Sequence, residues 1–438
     1  MSPERNNASL APDLYERRNS GREFDIVLFG ASGVVGKLTA SYLSNSGSEA
    51  RIALAGRCPE KLARVRSSLG RSAHDWPIIV ADATQPASII DMARRTQVVL
   101  STVGPYLLYG MPLVQACAEE GTDYADLTGE TMFIRRSIDR LHGIAVASGA
   151  RILHSCGFDS LPSDLTVYAL NARSRSDGAG NLTRTDMVML TPPVAVSGGT
   201  IASGIEMLRQ LADDPDARRH LADPYTLSPN RQAEPGLGDQ PDIRWGRGIR
   251  IAPELERRWT GAFPMALMNT RIVRRTNALL GYEYGREFAY AEHILMNDSA
   301  VAPVMAALVT AGFSTMYDLG TRYMNRVPRS LIERIAPPPG TGPGEDIREN
   351  SGYRLHTYTT TASGIRYRAS MSQRGDPGYK ATSALFGECG LALATARDQL
   401  SDLRGVLTPA AAMGDVLLSR LARAGATLEI EQLPGTEA

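Results

Sequence analysis

Apolar runs and helical patterns alternate regularly over the first third of the chain. Short apolar runs of strand character occur at residues 26–29, 51–55, 78–81, 97–103, 124–127 and 150–155. Between them lie segments with apolar positions at helical spacing, as in Leu62, Val65 and Leu69. Strands that alternate with helices are typical of a parallel sheet with helices on both faces. The pattern therefore predicts an α/β fold whose N-terminal unit, residues 23–165, is a doubly wound (Rossmann) parallel sheet.

The pattern changes beyond residue 165. Strand-like runs there are irregularly spaced and lie at residues 186–190, 249–251, 288–293, 353–358 and 365–371, the last two as a hairpin. This mixture predicts a second domain of α+β type over residues 166–380. Because a second domain commonly covers the open side of a cofactor-binding domain, we expect the substrate pocket between the two.

Four further segments complete the expected organisation. Residues 213–242 are rich in Pro, Gly and Asp and are predicted to form a long loop, and residues 336–344 a linker. Residues 381–438 are predicted to form helices that pack back on the first domain. Residues 1–22 are polar and lack the apolar core of a signal peptide, so a disordered leader is expected.

A glycine-rich turn follows the first predicted strand. Gly30, Gly33 and Gly36 recur at three-residue intervals before a helical segment. Glycines let a backbone approach a diphosphate closely, and the amides and dipole of the helix N-terminus attract it. The spacing departs from G-x-G-x-x-G, so the turn alone is a weak signal, and a turn that binds nothing is the alternative. The strand and helix alternation around it favours a dinucleotide site.

The end of the second strand indicates which dinucleotide is bound. An acidic residue there accepts the ribose hydroxyls of NAD, whereas an arginine accommodates the 2′-phosphate of NADP. Arg57 occupies this position and no acidic residue does, so NADPH is the predicted cofactor, with a solvated surface arginine as the alternative. Asp82, after the third strand, is predicted either to contact the adenine or to cap a helix.

The fourth strand runs into Gly104, Pro105 and Tyr106, where the nicotinamide is expected because ligands bind at the carboxyl ends of parallel strands. A Gly-Pro turn with packed tyrosines is the alternative. The predicted cofactor-binding residues are Gly30, Ala31, Ser32, Gly33, Val34, Val35, Gly36, Arg57, Asp82, Thr102, Val103 and Gly104.

Composition narrows the classes of partner. Lys plus Arg and Asp plus Glu both total 47, so the formal net charge is zero and nothing indicates nucleic-acid binding. The four cysteines form no C-x-x-C pair and the six histidines have no metal-ligand spacing, so neither a metal site nor a disulfide framework is expected. A reduced, cytoplasmic protein is expected.

Residues 299–317 contain no charged side chain. The stretch is close to the length of about 20 residues that a membrane span needs, but it contains a proline, a glycine and several hydroxyl side chains. Core packing, an apolar wall for a lipid substrate and a peripheral membrane contact are the alternatives to a true span.

Four motifs together carry a resemblance to a known family. They are GASGVVGK after the first strand, AGR after the second, STVGPY after the fourth and CGFDSLPSD after the sixth. Their combination resembles the saccharopine dehydrogenase-like oxidoreductases, in particular the mycobacterial trans-acting enoyl reductases. The likeness extends through residues 269–285 and 379–394.

The resemblance implies an NADPH-dependent enoyl reductase. Its implied substrate is a carbon-carbon double bond of a polyketide or lipid intermediate held by a polyketide synthase, in phthiocerol and phenolphthiocerol lipid biosynthesis. A reductase of an amino-acid-derived imine and a non-enzymatic, lipid-associated nucleotide-binding protein are the alternatives. The oligomeric state is left open, with a homodimer as one alternative.

Enoyl reduction needs a hydride, stabilisation of charge on the thioester oxygen and a proton for the α-carbon. Tyr106 and Tyr109 are predicted as proton donors, with Tyr106 preferred, because both follow the fourth strand. Asp159 and Ser160 are predicted as orienting groups, and Lys380 as an alternative cation.

Overall fold

The computed structural model describes residues 21–191, 198–328, 330–331 and 344–435, and these residues form two sheets of seven strands each. The strands are β1 (Phe24–Phe29), β2 (Ile52–Gly56), β3 (Ile78–Val80), β4 (Thr96–Ser101), β5 (Asp123–Asp126), β6 (Arg151–Leu153), β7 (Leu182–Met189), β8 (Gly246–Arg247), β9 (Trp259–Ala262), β10 (Ala289–Leu295), β11 (Gly352–Thr361), β12 (Arg366–Arg374), β13 (Gly405–Leu407) and β14 (Thr427–Leu433).

Helices cover both sheets. They are α1 (Val34–Asn45), α2 (Pro59–Ser68), α3 (Pro86–Arg95), α4 (Tyr106–Tyr109), α5 (Met111–Glu120), α6 (Thr131–Ser148), α7 (Leu161–Ser176), α8 (Gly198–Asp213), α9 (Pro215–Ala222), α10 (Ala266–Leu279), α11 (Ala302–Tyr323), α12 (Glu345–Asn350), α13 (Thr382–Thr395) and α14 (Pro409–Arg423). A π-helical turn, Pro377–Ala381, leads into α13.

The first sheet is parallel throughout and has the strand order β13-β6-β5-β4-β1-β2-β3. Alternate residues of β1 face opposite sides, since successive side chains of a strand do so. Ile26 and Leu28 pack into the core that includes α13 and α14, whereas Val27 and Phe29 pack with α3, α5 and α6. Both faces are therefore buried, which confirms the predicted doubly wound fold.

The second sheet is mixed and has the order β14-β12-β11-β7-β10-β9-β8. Among its described strands, only β7 and β10 pair in parallel, and the predicted hairpin is β11 with β12. The prediction of a strand at residues 249–251 was wrong. Gly248–Arg250 form a 3₁₀ turn. The edge strand β8, which pairs with β9, ends directly before this turn.

The C-terminal part of the chain forms the helices predicted for residues 381–438, and it also adds one strand to each sheet, which the prediction did not include. β13 extends the first sheet beside β6, and β14 extends the second beside β12. The strand β13 has only three residues, and β14 begins shortly after α14 ends, so the hydrophobic pattern did not predict either strand. The helix α13 packs on α1 and on β4, so one apolar core continues from the first sheet to the second.

The structure also corrects the predicted loop at residues 213–242 and the predicted leader at residues 1–22. The segment 213–242 contains the helix α9, whose N-terminus is capped by the Asp214 carboxylate, as well as loop. Arg22, placed in the expected leader, is buried and donates hydrogen bonds to the carbonyls of Ala93 and Glu120. Residues 1–20 and 332–343, with most of the predicted linker, lie outside the described residues.

The uncharged stretch forms most of α11. Ala306 and Thr310 pack against the second sheet, but the opposite face of the helix is apolar and exposed, and Leu308 is 61% exposed. This exposure excludes core packing as the whole explanation of the stretch. Within the described residues, no helix combines the length and the apolar character that crossing a bilayer requires.

Candidate active site at the carboxyl edge of the first sheet

A cavity of about 650 Å³ lies at the carboxyl ends of β1, β2 and β4. The loops after these strands form one wall. The opposite wall comes from the second domain, through α8, the start of α10 and the turn before α13. The expected cleft between two domains is therefore present.

The glycine turn forms one end of the cavity. Gly30 has a φ of 86°, and a Cβ atom there would lie 2.6 Å from Thr102 Oγ1. A Cβ at Gly36 would lie 2.3 Å from the carbonyl oxygen of Gly30, so α1 can approach the turn only because residue 36 lacks a side chain. Gly33 is the N-cap of α1, and no side chain caps the helix. The first amides of α1 are thus available to an anion.

The structure brings eleven of the twelve predicted cofactor residues to this cavity. The exception is Ala31, which is fully buried in the core behind the turn. The glycine turn leaves no room for added side chains at Gly30 and Gly36, and it lies at the N-terminus of α1. This geometry fits the diphosphate of a dinucleotide.

Positive charge lies at the far end of the glycine turn. Arg57 follows β2, and Lys61, one turn into α2, also lines the cavity. Asp82 accepts hydrogen bonds from the Thr84 amide and hydroxyl at 2.9 Å, and these bonds, with Arg57 nearby, lower its pKa. The Arg57 and Lys61 side chains could both hold the 2′-phosphate of NADP, and Lys61 was missed in the sequence.

Replacing Arg57 with alanine should weaken NADPH selectively. A charge-assisted hydrogen bond contributes about 1.5–3 kcal/mol, so we expect the Kd for NADPH to rise roughly 10- to 100-fold, with little change for NADH, which has no 2′-phosphate. Fluorescence titration of both cofactors measures this. Lys37→Ala, which removes a cation of α1 outside the cavity, is the matched control. Equal weakening of NADPH and NADH would contradict the NADP assignment.

Tyr106, the preferred proton donor, is held by hydrogen bonds in the core. Its hydroxyl donates to the Ser101 carbonyl at 3.1 Å and accepts from the Leu127 amide at 3.3 Å. Burial, with Asp126 nearby, raises the pKa of Tyr106 well above its ordinary value. Tyr106 lines the cavity, but its hydroxyl joins the ends of β4 and β5, so we expect a structural role for it rather than proton donation.

Replacing Tyr106 with phenylalanine should cost stability and spare catalysis. Two backbone groups lose a hydrogen-bond partner, so we expect the free energy of unfolding to fall by about 1–3 kcal/mol. We expect kcat to stay within a few-fold of the wild-type value. Urea denaturation and steady-state kinetics test the two parts, and a loss of kcat in a variant that still folds would restore Tyr106 as the donor.

Asp126 holds the loops beside Tyr106. Its carboxylate accepts hydrogen bonds from the Tyr124 hydroxyl, the Thr128 and Ser155 amides and His154 Nδ1, at 2.8–3.2 Å. His154 Nε2 lies 2.9 Å from Ser137 Oγ. This set resembles a Ser-His-Asp triad, but Ser137 and His154 are buried in the core, where a substrate has no access. The set positions the loops after β5 and β6, which line the cavity.

Asp159 is the carboxylate that the loop after β6 brings to the cavity wall. Asp159 is partly buried, and the resulting desolvation raises its pKa to about 6. Its carbonyl accepts a hydrogen bond from Asn269 Nδ2 at 2.7 Å. Asp159 thus keeps its proton to a higher pH than a solvated aspartate does, on a backbone that α10 holds in place.

Ser160 and Asn269 form a polar network behind Asp159. Ser160 Oγ donates to Asn269 Oδ1 at 2.8 Å, and Asn269 Nδ2 also contacts Glu292 Oε2 at 2.9 Å. Burial raises the pKa of Glu292 to about 7. Ser160 therefore fits an orienting role. Asn269 was missed because its helix carries several other polar residues, among them Thr270 and Arg271, so no signal in the sequence distinguished it.

Lys380, the predicted alternative cation, lies outside the cavity. Its ammonium pairs with the Glu349 carboxylate on the surface, while the preceding Tyr379 lines the cavity. The prediction of Lys380 was wrong because the π-helical turn before α13 directs consecutive side chains to different sides. Tyr109 lines the cavity as predicted and is 40% exposed.

The end of the cavity away from Arg57 is apolar. Met207 of α8, Leu221 of α9 and the stretch Met265, Leu267 and Met268 at the start of α10 form its wall. Methionine side chains are unbranched and adapt to irregular apolar ligands. This end suits an acyl chain better than an amino diacid. Across the described residues, no cluster of three His, Cys, Asp or Glu side chains suits a metal ion.

Comparison with known proteins agrees with the geometry of the cofactor end of the cavity. The model of the saccharopine dehydrogenase NADP-binding domain matches residues 26–153. A relative from Mycobacterium tuberculosis (strain ATCC 25618 / H37Rv), whose name places it among the trans-acting enoyl reductases, is 58% identical over 412 residues, 94% of this chain and 98% of the relative. Proteins named trans-acting enoyl reductase from Mycobacterium bovis and Mycobacterium ulcerans are 54% and 52% identical over 413 residues, 94% of this chain and 99% of each relative.

Among solved structures, the apo saccharopine dehydrogenase (L-Glu forming) of Saccharomyces cerevisiae has a TM-score of 0.52 at 13% identity, over 93% of this chain and 99% of that one. This likeness shows a shared fold. With the NADP-binding domain present, NADPH is the cofactor and the protein is an NADP-dependent oxidoreductase. The resemblance drawn from the four motifs is confirmed, and the chain belongs to the trans-acting enoyl reductase family of the saccharopine dehydrogenase-like oxidoreductases.

Proposed function

We propose that the protein reduces the carbon-carbon double bond of an α,β-unsaturated acyl thioester, and that Asp159 donates the proton. The observation that carries this proposal is the cavity itself. A phosphate cradle lies at one end, an apolar methionine wall at the other, and a carboxyl group with a raised pKa lies on the wall of the same cavity.

The residues divide the work along the cavity. The amides of the glycine turn hold the diphosphate, and Arg57 and Lys61 hold the 2′-phosphate. When bound, NADPH supplies a hydride to the β-carbon of the substrate. The apolar wall excludes water from the reacting carbons.

Different side chains stabilise the developing negative charge and donate the proton. As the double bond is reduced, negative charge develops on the thioester oxygen, and the Tyr109 hydroxyl donates a hydrogen bond to it. Asp159 transfers its proton to the α-carbon, which completes the saturated product, and the carboxylate regains a proton from solvent. Asn269 holds the Asp159 backbone during this exchange.

Turnover with purified protein tests the proposal. NADPH absorbance should fall with an α,β-unsaturated acyl thioester and stay constant with an imine-forming pair of an amino acid and a keto acid. Reduction of the imine pair alone would favour the amino-acid alternative. Cofactor binding without turnover of either would favour the non-enzymatic alternative.

The acyl group is proposed to be a polyketide or lipid intermediate that a polyketide synthase holds. The name of the relatives describes a reductase that acts in trans, and the apolar end of the cavity suits an alkyl chain. We place the reaction in phthiocerol and phenolphthiocerol lipid biosynthesis. Mass spectrometry of lipids from a deletion strain should show extra unsaturation in these lipids, and an unchanged degree of unsaturation would reject the pathway.

We further propose that the exposed face of α11 contacts an anionic membrane surface. The large exposed side chains lie three or four residues apart on one face and are Val304, Met305, Leu308, Val309, Met316, Leu319 and Tyr323. Trp245 is 49% exposed and stacks on Trp259, and Arg247 pairs with Trp259 across β8 and β9. A Cβ at Gly261 would lie 3.5 Å from Thr310 Oγ1, so α11 covers the sheet face that carries Trp259.

Apolar side chains with tryptophan and arginine beside them are typical of interfacial helices. Wild-type protein should therefore co-float with vesicles that contain phosphatidylglycerol, whereas Val304→Glu/Leu308→Glu should not. Val146→Glu, at an exposed valine of α6, is the control. A dimer that the double variant dissociates, with no vesicle binding by the wild type, would assign the face to a second copy instead.

A further inference from the structure

A second cavity, of about 510 Å³, adjoins the first. The two cavities share Leu221 of α9 and Leu267 of α10 in their walls. The second is bounded by Tyr317 and Thr321 of α11 and by the segment 238–243, and it is the more open of the two to solvent. The two cavities therefore adjoin at Leu221 and Leu267, and the second lies between the surface and the apolar end of the first.

From the second cavity inward, the lining changes from polar to apolar. Arg271 and Asp242 form a buried ion pair in the second cavity, and the Thr270 hydroxyl also donates to Asp242 at 2.8 Å. Gln240 donates to the Tyr225 hydroxyl at 3.0 Å, and its Oε1 is a buried acceptor without a hydrogen-bond partner among the described residues. A ligand there needs polar groups, whereas the ligand beyond Leu267 needs apolar ones.

A cation lies in the wall of the second cavity. Arg218 of α9 donates to the carbonyls of Leu211 and Thr321, and in the described part of the chain no carboxylate pairs with it. Because its charge is not neutralised by an acid, Arg218 suits a phosphate.

We propose that the second cavity receives the phosphopantetheine arm of the thioester substrate. The arm carries amide groups and a terminal phosphate, and its thioester carries the acyl chain, so its polarity follows the wall from Arg218 and Gln240 inward to the methionines. This inference rests on the proposed function. Coenzyme A and a carrier protein both present this arm, and the experiment separates them.

Obstructing the second cavity tests this proposal. Ala222 is exposed at the rim of the second cavity and does not line the first, so Ala222→Trp narrows the second cavity without touching the reacting groups. His220→Trp places the same bulk on an exposed position of α9 that lines neither cavity and is the matched control. The same enoyl group is supplied as a coenzyme A thioester, on a phosphopantetheinylated carrier protein and as a short N-acetylcysteamine thioester.

For Ala222→Trp we expect at least a tenfold higher KM with the two long-arm substrates and little change with the short thioester. His220→Trp should resemble wild type with all three. If only the carrier-bound substrate is turned over, the cavity receives the arm of a carrier protein. If the coenzyme A thioester is turned over too, the cavity also receives the arm of free coenzyme A. If Ala222→Trp changes the KM equally for the long-arm and the short substrates, or changes neither, the proposal that the arm enters through the second cavity is wrong.

The phosphate end has its own test. Arg218→Met should abolish the preference of the wild type for a phosphopantetheine thioester over the same pantetheine thioester without phosphate, and a retained preference would remove Arg218 from the site. Calorimetry with coenzyme A on NADPH-saturated protein is independent of turnover. If no thioester is reduced but coenzyme A binds and Ala222→Trp prevents it, the second cavity remains the site of the arm and the proposed reaction fails. If coenzyme A does not bind and no substrate is reduced, the site of the arm is rejected too.

Discussion

Replacing Asp159 with asparagine should lower kcat by about 10²- to 10⁴-fold, the usual contribution of a positioned general acid. Asparagine has nearly the same shape but no acidic proton to transfer to the α-carbon. The hydrogen bond from Asn269 goes to the backbone carbonyl of residue 159, so the loop should keep its position. Cofactor affinity should be unchanged, since the glycine turn and Arg57 remain, and stopped-flow hydride transfer with fluorescence titration measures both quantities.

The pH dependence gives Asp159 a signature that a structural role would not produce. Its pKa is raised to about 6, and an acid donates only while it is protonated, so kcat should fall as pH rises above 6. Asp159→Asn should lose this descending limb along with most of the rate. A variant with wild-type kcat, or one with the limb retained, would remove Asp159 from the reaction.

Stability provides the control for folding of this variant. A carboxyl group whose pKa is higher in the folded state than in the unfolded state destabilises the fold as pH rises from about 4 to 6, and the penalty is fully present above pH 6. Asp159→Asn should therefore be at least as stable as wild type at pH 8. Urea denaturation at pH 5 and pH 8 measures this difference, and a large loss of stability at pH 8 would show that the rate effect is indirect.

Replacing Gly36 with alanine should abolish most NADPH binding. The added methyl carbon would lie 2.3 Å from the Gly30 carbonyl oxygen and 2.8 Å from Ala31 Cα, and both are backbone atoms that cannot rotate away. The start of α1 must move outward, and its amides then leave the diphosphate. Overpacking of this kind costs about 1–3 kcal/mol, and we expect the Kd for NADPH to rise about 100-fold, equivalent to about 2.7 kcal/mol.

Gly143→Ala is the matched control for this substitution. Gly143 lies within α6, and a Cβ atom there would meet nothing within 4 Å. The control should bind NADPH like wild type and should be equally or more stable, because alanine is the better helix former. If Gly36→Ala binds NADPH normally by calorimetry, the close approach of α1 to the turn is not what forms the phosphate site.

The cofactor half of the site was predictable because it is local in sequence. The turn from Gly30 to Gly36 joins one strand to one helix, so its glycines and the helix N-terminus act within a few residues of each other. Arg57 was found by its place at the end of a strand. Lys61 follows one helical turn later and was missed because its proximity to Arg57 depends on where α2 begins.

The substrate half was predicted less well because its residues are distant in sequence. Tyr106 and Tyr109 both follow β4 and both line the cavity, and only packing decides that the Tyr106 hydroxyl is bonded in the core whereas Tyr109 is exposed. Lys380 was misplaced by the π-helical turn. Asp159 and Asn269 are 110 residues apart, and their contact forms only when α10 packs against the loop after β6.

The sequence by itself determined the doubly wound sheet, the glycine turn and the preference for NADP. These depend on strand and helix periodicity and on neighbouring residues, which act before the chain is folded as a whole. Only the tertiary structure decided which acid lies on the cavity wall, that β13 and β14 complete the two sheets, and that the face of α11 stays exposed. Burial sets each of these outcomes, and burial depends on segments that meet from distant parts of the chain.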